Sequence, residues 1–403
     1  MRLFKLIILV IVSTMLMGCG GNSVEIEDNK NEVGIDDNNL ENKDEIKEKI
    51  ESMTLDEKIG QLFIVGFEGE TVNDEIVDLI SNRKVGGLIL FARNIVNSSQ
   101  LIELNNSLRK IESDIPLFIS VDEEGGLVSR VPNEFEALPS SGEIGNYNSE
   151  EISYKVGAII AKELKALGFN MDFAPVLDIN SNPNNTVIGE RAFGDNADIV
   201  TRLGIKTMEG IRDGGIIPVV KHFPGHGDTD VDSHYGLPIV TKTLDELNSL
   251  EFIPFKEAIN NGADVVMISS IILSSIDSEN PSTMSEKVMT DILRGDLGFD
   301  GVIATDDMTM AAIMDNYNLT DAVVMSIKSG ADLVLVCHGY DNILNSILAV
   351  KDAVNSGIIS EERIDESVDS ILKLKEKYNV SNDAINTEID INGINNEIKS
   401  LFH

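Results

Sequence analysis

The strongest constraint on the fold is a unit that recurs eight times along the chain: a short apolar run, a polar loop and an amphipathic helix. The apolar runs are residues 61–66, 87–91, 117–121, 170–176, 216–221, 264–269, 301–305 and 332–337. They are rich in Val, Ile and Leu and mostly do not alternate with polar residues, which is typical of parallel strands buried on both faces. Eight strands, each followed by a helix, predict an α/β fold, a (β/α)8 TIM barrel in a single domain. An open doubly wound sheet is the alternative, but eight units are long for that fold.

Helices are predicted between the runs, over residues 149–167, 198–212, 245–260, 285–297 and 341–354. Thr54 and Glu57 have the spacing of a capping box, which marks the start of a helix just before the first apolar run. The barrel is therefore expected to occupy residues 52–378. The polar residues 379–403 are expected to form a peripheral C-terminal tail.

The N-terminal segment, residues 1–18, has the features of a targeting signal. A basic start is followed by an apolar run that is too short for an ordinary membrane span. It ends at Leu16-Met17-Gly18-Cys19, which resembles the bacterial lipobox, a signal in which cleavage precedes the Cys and lipid is attached to Cys19. We expect a bacterial, extracytoplasmic protein that is anchored to the membrane by this lipid alone. A plain secretory signal with a chance Cys, or an N-terminal membrane anchor, is the alternative.

Residues 19–51 are rich in Asn, Asp and Glu and have few large apolar side chains, so we expect a flexible acidic tether that becomes helical near residues 44–52. The whole chain has a formal net charge of −36. That charge argues against nucleic acid as a partner and against a polybasic contact with lipid. We expect a monomer. The chain has two cysteines, so if Cys19 carries lipid, Cys337 has no intrachain cysteine to pair with and is predicted to be a buried thiol.

The TIM-barrel prediction places functional residues at the carboxyl ends of the strands. Six conspicuous side chains of this sequence follow those ends: Asp122, Lys221, His222, Asp306, Asp307 and His338.

The loop over residues 221–238 contains three of the five histidines of the chain. A zinc site is one interpretation, but the histidines are separated by three and seven residues in a Gly/Pro loop rather than placed on one helix face. A calcium loop is another, but Ser233 and Ile239 occupy the positions where an EF-hand needs Gly and Glu. A solvated polar turn is the third.

This loop resembles the signature of the glycoside hydrolase family 3 β-N-acetylhexosaminidases of the NagZ type. The segments Val121-Asp122-Glu123-Glu124-Gly125-Gly126, Ile188-Gly189-Glu190-Arg191-Ala192-Phe193-Gly194 and Thr305-Asp306-Asp307-Met308 resemble the other motifs of that family, in the family's order. The resemblance covers roughly residues 52–377.

The resemblance implies a catalytic role for three residues. Asp306 resembles the nucleophile, which would attack the anomeric carbon and form a glycosyl-enzyme. The alternative is that one of the two aspartates caps the next helix, a role for which Asp307 is better placed. His234 resembles the acid/base, with Asp232 as the carboxylate that orients it.

Asp122, Arg191, Lys221 and His222 resemble the residues that bind the hydroxyls of an N-acetylglucosamine ring. The resemblance requires no metal and no organic cofactor. Leu127 and Ser270 depart from many relatives, which have Arg and His there, so the preference for the leaving group is open.

The expected function is that of a retaining exo-β-N-acetylglucosaminidase acting on terminal β-linked N-acetylglucosamine of peptidoglycan fragments or related oligosaccharides. A family 3 β-glucosidase and an N-acetylglucosaminide phosphorylase are alternatives within the same fold. A solute-binding lipoprotein and a zinc hydrolase are alternatives of other classes.

Overall fold

Eight parallel strands form a closed barrel in the computed structural model, which describes residues 37–229, 233 and 236–402. The strands are β1 (Phe63–Val65), β2 (Gly87–Ile89), β3 (Phe118–Val121), β4 (Met171–Asp172), β5 (Ile217–Phe223), β6 (Val265–Ile268), β7 (Val302–Asp307) and β8 (Leu333–Val336). Each strand pairs with its neighbours in the chain, and β1 pairs with β8, with Phe63 opposite Val334. The TIM-barrel prediction is confirmed. Six of the predicted apolar runs contain a strand, and the runs 216–221 and 301–305 overlap strands that continue two residues further.

Helices surround the barrel. They are α1 (Asp37–Ser52), α2 (Leu55–Gln61), α3 (Asp74–Ser81), α4 (Ser98–Arg109), α5 (Ser141–Tyr147), α6 (Glu150–Leu167), α7 (Ala197–Asp213), α8 (Leu244–Ser249), α9 (Phe252–Asn260), α10 (Ala311–Met314), α11 (Leu319–Lys328), α12 (Tyr340–Asn355), α13 (Glu361–Lys377) and α14 (Ile391–Phe402). Along the chain, a π-helix, Lys287–Asp296, lies between β6 and β7. Two short strands, Ile239–Val240 and Ile272–Leu273, pair with each other outside the barrel. None of the helices in the described part of the chain combines the length and apolar character needed to cross a bilayer.

The single helix predicted over residues 245–260 is wrong, because the chain forms two helices there, α8 and α9. The break falls at Leu250, whose φ of −143° is not helical. Pro254 explains it, because a proline ring clashes with the carbonyl four residues earlier in a continuous helix, here that of Leu250. In α9, Pro254 lies in the first turn, where no intrahelical N–H bond is lost.

The folded unit begins at Asp44, before the expected boundary at residue 52. Ile50 of α1 is buried and Ile46 packs against the core, so residues 44–51 belong to the fold rather than to a tether. The helix expected near residues 44–52 is present. The capping box is present as well, since Thr54 Oγ1 accepts from the Glu57 N–H and the Glu57 carboxylate accepts from the Thr54 N–H.

The C-terminal residues expected to form a polar tail pack against the barrel. Residue 385 is bonded on both its N–H and its C=O by the side chain of Asn106 of α4. Ile394 and Ile398 of α14 are buried in the main core. The composition of residues 379–403 concealed this because the apolar side chains that dock are few and spaced on one helix face.

One carboxyl group in the core lacks any stabilising contact. Glu163 of α6 is fully buried, and neither of its oxygens has a hydrogen-bond partner among the described residues. Burial, reinforced by the nearby Glu123, raises the pKa of Glu163 to about 9. The folded protein therefore holds Glu163 protonated up to about pH 9, whereas the unfolded chain releases this proton near pH 4.5.

Glu163→Gln is therefore expected to stabilise the protein in a pH-dependent way. Between pH 4.5 and 9 the unfolded chain is ionised at Glu163 and the folded chain is not, so this residue lowers stability progressively as the pH rises. The penalty reaches about 3 kcal/mol at pH 7, and the variant removes it. Urea unfolding at pH 4.5 and 8 checks this. The gain should appear only at the higher pH, and Glu151→Gln on the exposed start of the same helix should change stability by no more than about 0.5 kcal/mol. An equal effect at both pH values would contradict it.

Candidate active site

A cavity of about 380 Å³ opens at the carboxyl ends of the barrel strands. This volume is within the range of small-molecule sites. All five predicted site residues that fall in the described chain line it: Asp122, Arg191, Lys221, His222 and Asp306. Asp307 and His338 line it as well. The predicted acid/base pair, His234 and Asp232, and the predicted lipidation site, Cys19, lie outside the described residues.

Four charged side chains, Asp122, Lys221, Glu124 and Arg191, form a row of alternating charge beside the cavity. Lys221, from β5, contacts Asp122 after β3 at 2.6 Å and Glu124 at 2.7 Å. Glu124 also accepts two hydrogen bonds from Arg191, at 2.7 and 2.8 Å. The ion-pair partner of Arg191 is thus Glu124, which is distant in sequence, and not the neighbouring Glu190 or Asp195. Asp122 and Arg191, the two ends of this row of charged side chains, line the cavity.

Burial makes each of these ions depend on its partners. Burial alone would raise the pKa of Glu124, but Lys221 and Arg191 hold it well below its ordinary value. Burial would likewise lower the pKa of Lys221, but Asp122 and Glu124 raise it above the usual range. Glu124 and Lys221 are therefore ionised at neutral pH, and the formal charges of the four side chains sum to zero.

A second buried carboxylate, Asp178, orients two histidines. It accepts from His222 Nδ1 at 2.6 Å and from the backbone N–H of His226 at 2.6 Å. Because the Asp178 carboxylate can only accept, Nδ1 of His222 carries a proton, and Nε2 lies 3.5 Å from an Arg191 nitrogen. Burial works against an ionised Asp178, but His222 and the His226 N–H outweigh it and keep its pKa below the ordinary value.

Two glycines determine the backbone path of the loop after β5. Gly225 has a φ of +117°, which favours glycine, and a Cβ on Gly227 would lie 1.8 Å from the Ile179 carbonyl oxygen. His226 between them is buried and contacts Thr229 at 2.8 Å and Ser233 Oγ at 3.2 Å. Ser233 lines the cavity, and its carbonyl accepts from the N–H of Ala312. The described end of this loop is thus held at the cavity wall.

The two adjacent aspartates at the end of β7, Asp306 and Asp307, differ in their contacts. Asp307 accepts from Thr309 N–H and Oγ1 and from the N–H of Cys337, and burial raises its pKa. Asp306 accepts only from the N–H of Asp307 among the described residues, at 2.8 Å. Neither aspartate caps the next helix, because α10 begins after Met310 without a side-chain cap. Asp307 is a structural residue here, and Asp306 is the carboxylate left open to the cavity.

Comparison with known proteins shows the family of the chain. Residues 54–374 match the family described as "Glycosyl hydrolase family 3 N terminal domain". The chain belongs to glycosyl hydrolase family 3. It is similar to "Beta-hexosaminidase A" of Pseudoalteromonas piscicida, with 37% identity over 333 residues, 76% of this chain and 56% of that protein. This chain therefore spans little more than half the length of that relative.

Two further family 3 relatives are matched over most of their length. The "Beta-hexosaminidase" of Nitrosomonas eutropha is 34% identical over 76% of this chain and 90% of that protein. The structure of a glycoside hydrolase family 3 beta-N-acetylglucosaminidase from Paenibacillus sp. str. FPU-7 superposes with a TM-score of 0.84 and 41% identity, over 87% of this chain and 68% of that one.

In this family 3 chain the loop after β3 brings a further cation to the cavity. The buried Glu123 accepts from Ser129 Oγ at 2.9 Å, Arg130 N–H at 2.6 Å and Val131 N–H at 3.1 Å. It thereby folds residues 124–131 back towards the barrel, and Arg130 lines the cavity. Leu127 at the tip of this loop is 78% exposed and does not line the cavity.

The cavity wall formed by β2 and β8 is mostly apolar. It consists of Ile89, Phe91, Leu335, Cys337 and the half-exposed His338, whose ring lies 5.4 Å from that of Phe91. Cys337 is a buried free thiol, as predicted. Ser270, the other departure from many relatives, is buried and contacts Thr283 rather than the cavity. Within the described parts of the chain, which omit residues 230–232, 234 and 235, no group of three or more His, Cys, Asp or Glu side chains is arranged to hold a metal ion.

Sequence reasoning missed three carboxylates: Glu123, Glu124 and Asp178. The first two stand beside Asp122, where three successive acidic residues look like a solvated surface. A usable signal was that they follow directly on a buried strand, since buried carboxylates in such a place need cationic or N–H partners. Asp178 has the same signal, because it follows the apolar run 170–176.

Proposed function

We propose that this protein is a retaining, exo-acting β-N-acetylglucosaminidase in which Asp306 is the nucleophile and His234, oriented by Asp232, is the acid/base. The observation that carries the proposal is that Asp306 faces the cavity with a single hydrogen bond among the described residues, beside a preorganised set of ionic donors and acceptors. The resemblance of the motifs and the family 3 relatives named beta-hexosaminidase support it.

The row of four charged side chains explains the binding of a neutral sugar. Asp122 supplies acceptors and Arg191 and Lys221 supply donors for ring hydroxyls, and each is already fixed by its ionic partner. Because the formal charges of Asp122, Lys221, Glu124 and Arg191 sum to zero, these four side chains offer an uncharged ligand directional hydrogen bonds without adding a net charge to the cavity. A sugar lacking one of these hydroxyls leaves a buried charged group without its partner, which disfavours that sugar.

In the first chemical step, the Asp306 carboxylate attacks the anomeric carbon from the face opposite the leaving group. The glycosidic C–O bond breaks while His234 gives its proton to the leaving oxygen, and a glycosyl ester of Asp306 forms. In the second step, His234 takes a proton from water, the hydroxyl attacks the anomeric carbon, and Asp306 leaves. Two inversions return the β configuration. The Asp232 carboxylate fixes the tautomer of His234 and strengthens it as a base.

We further propose that the protein is lipidated at Cys19 and acts outside the cytoplasm on peptidoglycan fragments. The lipobox-like end of the apolar segment 6–17 supports the lipid, and the outward location supports a cell-wall substrate. Mass spectrometry of the membrane-bound protein tests this, because the N-terminal peptide should begin at Cys19 with attached acyl chains. A soluble protein that starts elsewhere would contradict it.

The deciding experiment for the activity compares aryl β-N-acetylglucosaminides with aryl β-glucosides, each with and without phosphate, and follows the product by NMR. We expect the N-acetylated substrates to be preferred and N-acetylglucosamine to appear first as the β anomer, independently of phosphate. A glycosyl phosphate product would identify a phosphorylase, a preference for the plain glucoside would identify a glucosidase, and loss of activity with a chelator would support a metal hydrolase. An α anomer as the first product would rule out retention.

His234→Ala is expected to slow the hydrolysis of poor leaving groups far more than that of activated aryl glycosides. A proton from the acid/base is needed only where the leaving oxygen is too basic to depart alone, so the loss should be about 10²–10⁴-fold for unactivated substrates and much smaller for nitrophenyl ones. Rates over a series of leaving groups check this, with His403→Ala as the matched control. Equal losses across the series would show that His234 is not the acid.

A further inference from the structure

The C-terminal helix α14 touches the same loop that presents Arg130 to the cavity. Asn395 bonds the backbone of this loop twice: its Oδ1 accepts from the Glu136 N–H at 2.7 Å, and its Nδ2 donates to the Glu134 carbonyl at 2.9 Å. An amide that accepts from one backbone group and donates to another fixes the direction of both. The side chain of Lys399, one turn further along, adds an ion pair to Glu136 at 3.1 Å.

Helix α14 is firmly seated and can therefore serve as a support. Ile394 and Ile398 are 5% and 2% exposed and belong to the main core. Lys162 of α6 pairs with Glu397, and the rings of Phe402 and Tyr147 lie 5.7 Å apart. Asn395, next to Ile394, thus extends from a buried anchor.

The loop is held at a second place much closer to the cavity. The Glu123 carboxylate bonds residues 129–131, while Asn395 bonds residues 134 and 136. Only residues 132 and 133 separate these two anchors, and Pro132 is buried and restricts the backbone further. The Glu134 side chain is held as well, since its carboxylate accepts from the N–H and Oγ of Ser98 in α4. The Glu134 and Glu136 backbone is bonded by Asn395, and because only two residues intervene, a displacement of that backbone reaches the segment that carries Arg130.

Arg130 is the group on this loop that such a displacement affects. It lines the cavity, its Nη1 donates to the Ser129 carbonyl, and no described carboxylate lies within ion-pair distance of its guanidinium. Within the described ranges its remaining N–H groups meet no acceptor, so they can donate to an oxygen of a ligand.

We propose that Asn395 is a positioning residue for substrate binding, which acts on the sugar site through the β3 loop and Arg130. Residues 379–402, polar in composition, thereby contribute to the site without touching the substrate. The inference rests on the proposed function, since the ligand whose oxygen meets Arg130 is taken to be a β-N-acetylglucosaminide.

The test is a double-mutant cycle on the full chain with Arg130→Ala and Asn395→Ala. Loss of a charged hydrogen bond is expected to raise KM for an aryl β-N-acetylglucosaminide about 10–100-fold in Arg130→Ala, and Asn395→Ala should raise it about tenfold, with kcat little changed in both. If Asn395 acts through Arg130, adding Asn395→Ala to Arg130→Ala has no further effect. Additive losses, or a loss in kcat at constant KM, would overturn the proposal.

Two variants on the same helix separate positioning from general stability. Asn396→Ala removes an exposed neighbouring amide, and Lys399→Ala removes only the exposed ion pair to the loop, so both should leave KM within about twofold. If Asn395→Ala does not fold, Asn395→Asp keeps the acceptor for the Glu136 N–H and should show an intermediate rise in KM. A normal KM in that variant would overturn the proposal.

The same cycle is measured as the Kd of N-acetylglucosamine by calorimetry, which needs no turnover. A wild-type protein that binds the sugar with the expected coupling but hydrolyses no substrate would refute the proposed function and leave the role of Asn395 standing. If the wild-type protein hydrolyses the substrate but the effects of the two substitutions on Kd are additive, the role of Asn395 alone is refuted.

Discussion

Asp306→Gly is expected to lose about 10³-fold or more of its activity on β-N-acetylglucosaminides, because it removes the atom that attacks the anomeric carbon. Added azide should restore turnover of an activated aryl substrate. The azide ion enters from the side vacated by the carboxylate, the bond to the aryl oxygen breaks, and an α-glycosyl azide forms. Kinetics with and without azide, together with NMR of the product, check this.

The neighbouring aspartate is the natural comparison. Asp307→Asn keeps an acceptor for Thr309 and Cys337 and is expected to show a smaller loss that azide does not repair. Asp315→Asn, exposed at the end of α10, should behave as the wild type. Azide rescue in the Asp307 variant, or a β-glycosyl azide from the Asp306 variant, would contradict the assignment. A slow fluorinated substrate should label Asp306 in peptide mass spectrometry.

Lys221→Met is expected to lower the free energy of unfolding by about 3–5 kcal/mol and to remove sugar binding as well. Lys221 is 2% exposed and is the shared partner of Asp122 and Glu124, so its loss leaves buried negative charge without compensation. Urea unfolding at pH 7 and calorimetric titration with N-acetylglucosamine measure the two effects.

A second substitution identifies the cause of that loss. Glu124→Gln in the Lys221→Met background removes one uncompensated charge and should recover part of the stability but none of the sugar binding. Lys206→Met breaks a half-exposed ion pair to Glu209 and should cost at most about 1 kcal/mol. A Lys221 variant no less stable than the Lys206 variant would show that the buried charges are not coupled as described.

The barrel could be predicted from the sequence because its strands are short, apolar and regularly separated. Parallel strands buried on both faces leave a strong compositional signal, and each of the eight runs overlaps a strand. The rule that functional residues lie at the carboxyl ends of the strands predicts that Asp122, Lys221 and Asp306 surround one cavity, and they line the same cavity in the structure.

The remaining features depended on packing between distant segments. The partner of Arg191 is Glu124, 67 residues away, and no local pattern distinguishes it from the nearer Glu190. The docking of α14 rests on two buried isoleucines in a polar segment, which is too weak a signal against the composition around it. The division of roles between Asp306 and Asp307 came from the contacts of Thr309 and Cys337 and could not follow from spacing.

The pairing of β1 with β8 has a consequence for how the enzyme folds as it is synthesised. Residue 63 lies beside residue 334, so the last contact that closes the ring joins segments some 270 residues apart. Contacts of such sequence separation form slowly, because a long loop must close before any stabilisation is gained. A nascent chain that has emerged only as far as β7 already contains every side chain proposed above to bind the sugar, yet its sheet is open at both edges. We therefore expect sugar binding to appear only once β8 has been made and has paired with β1.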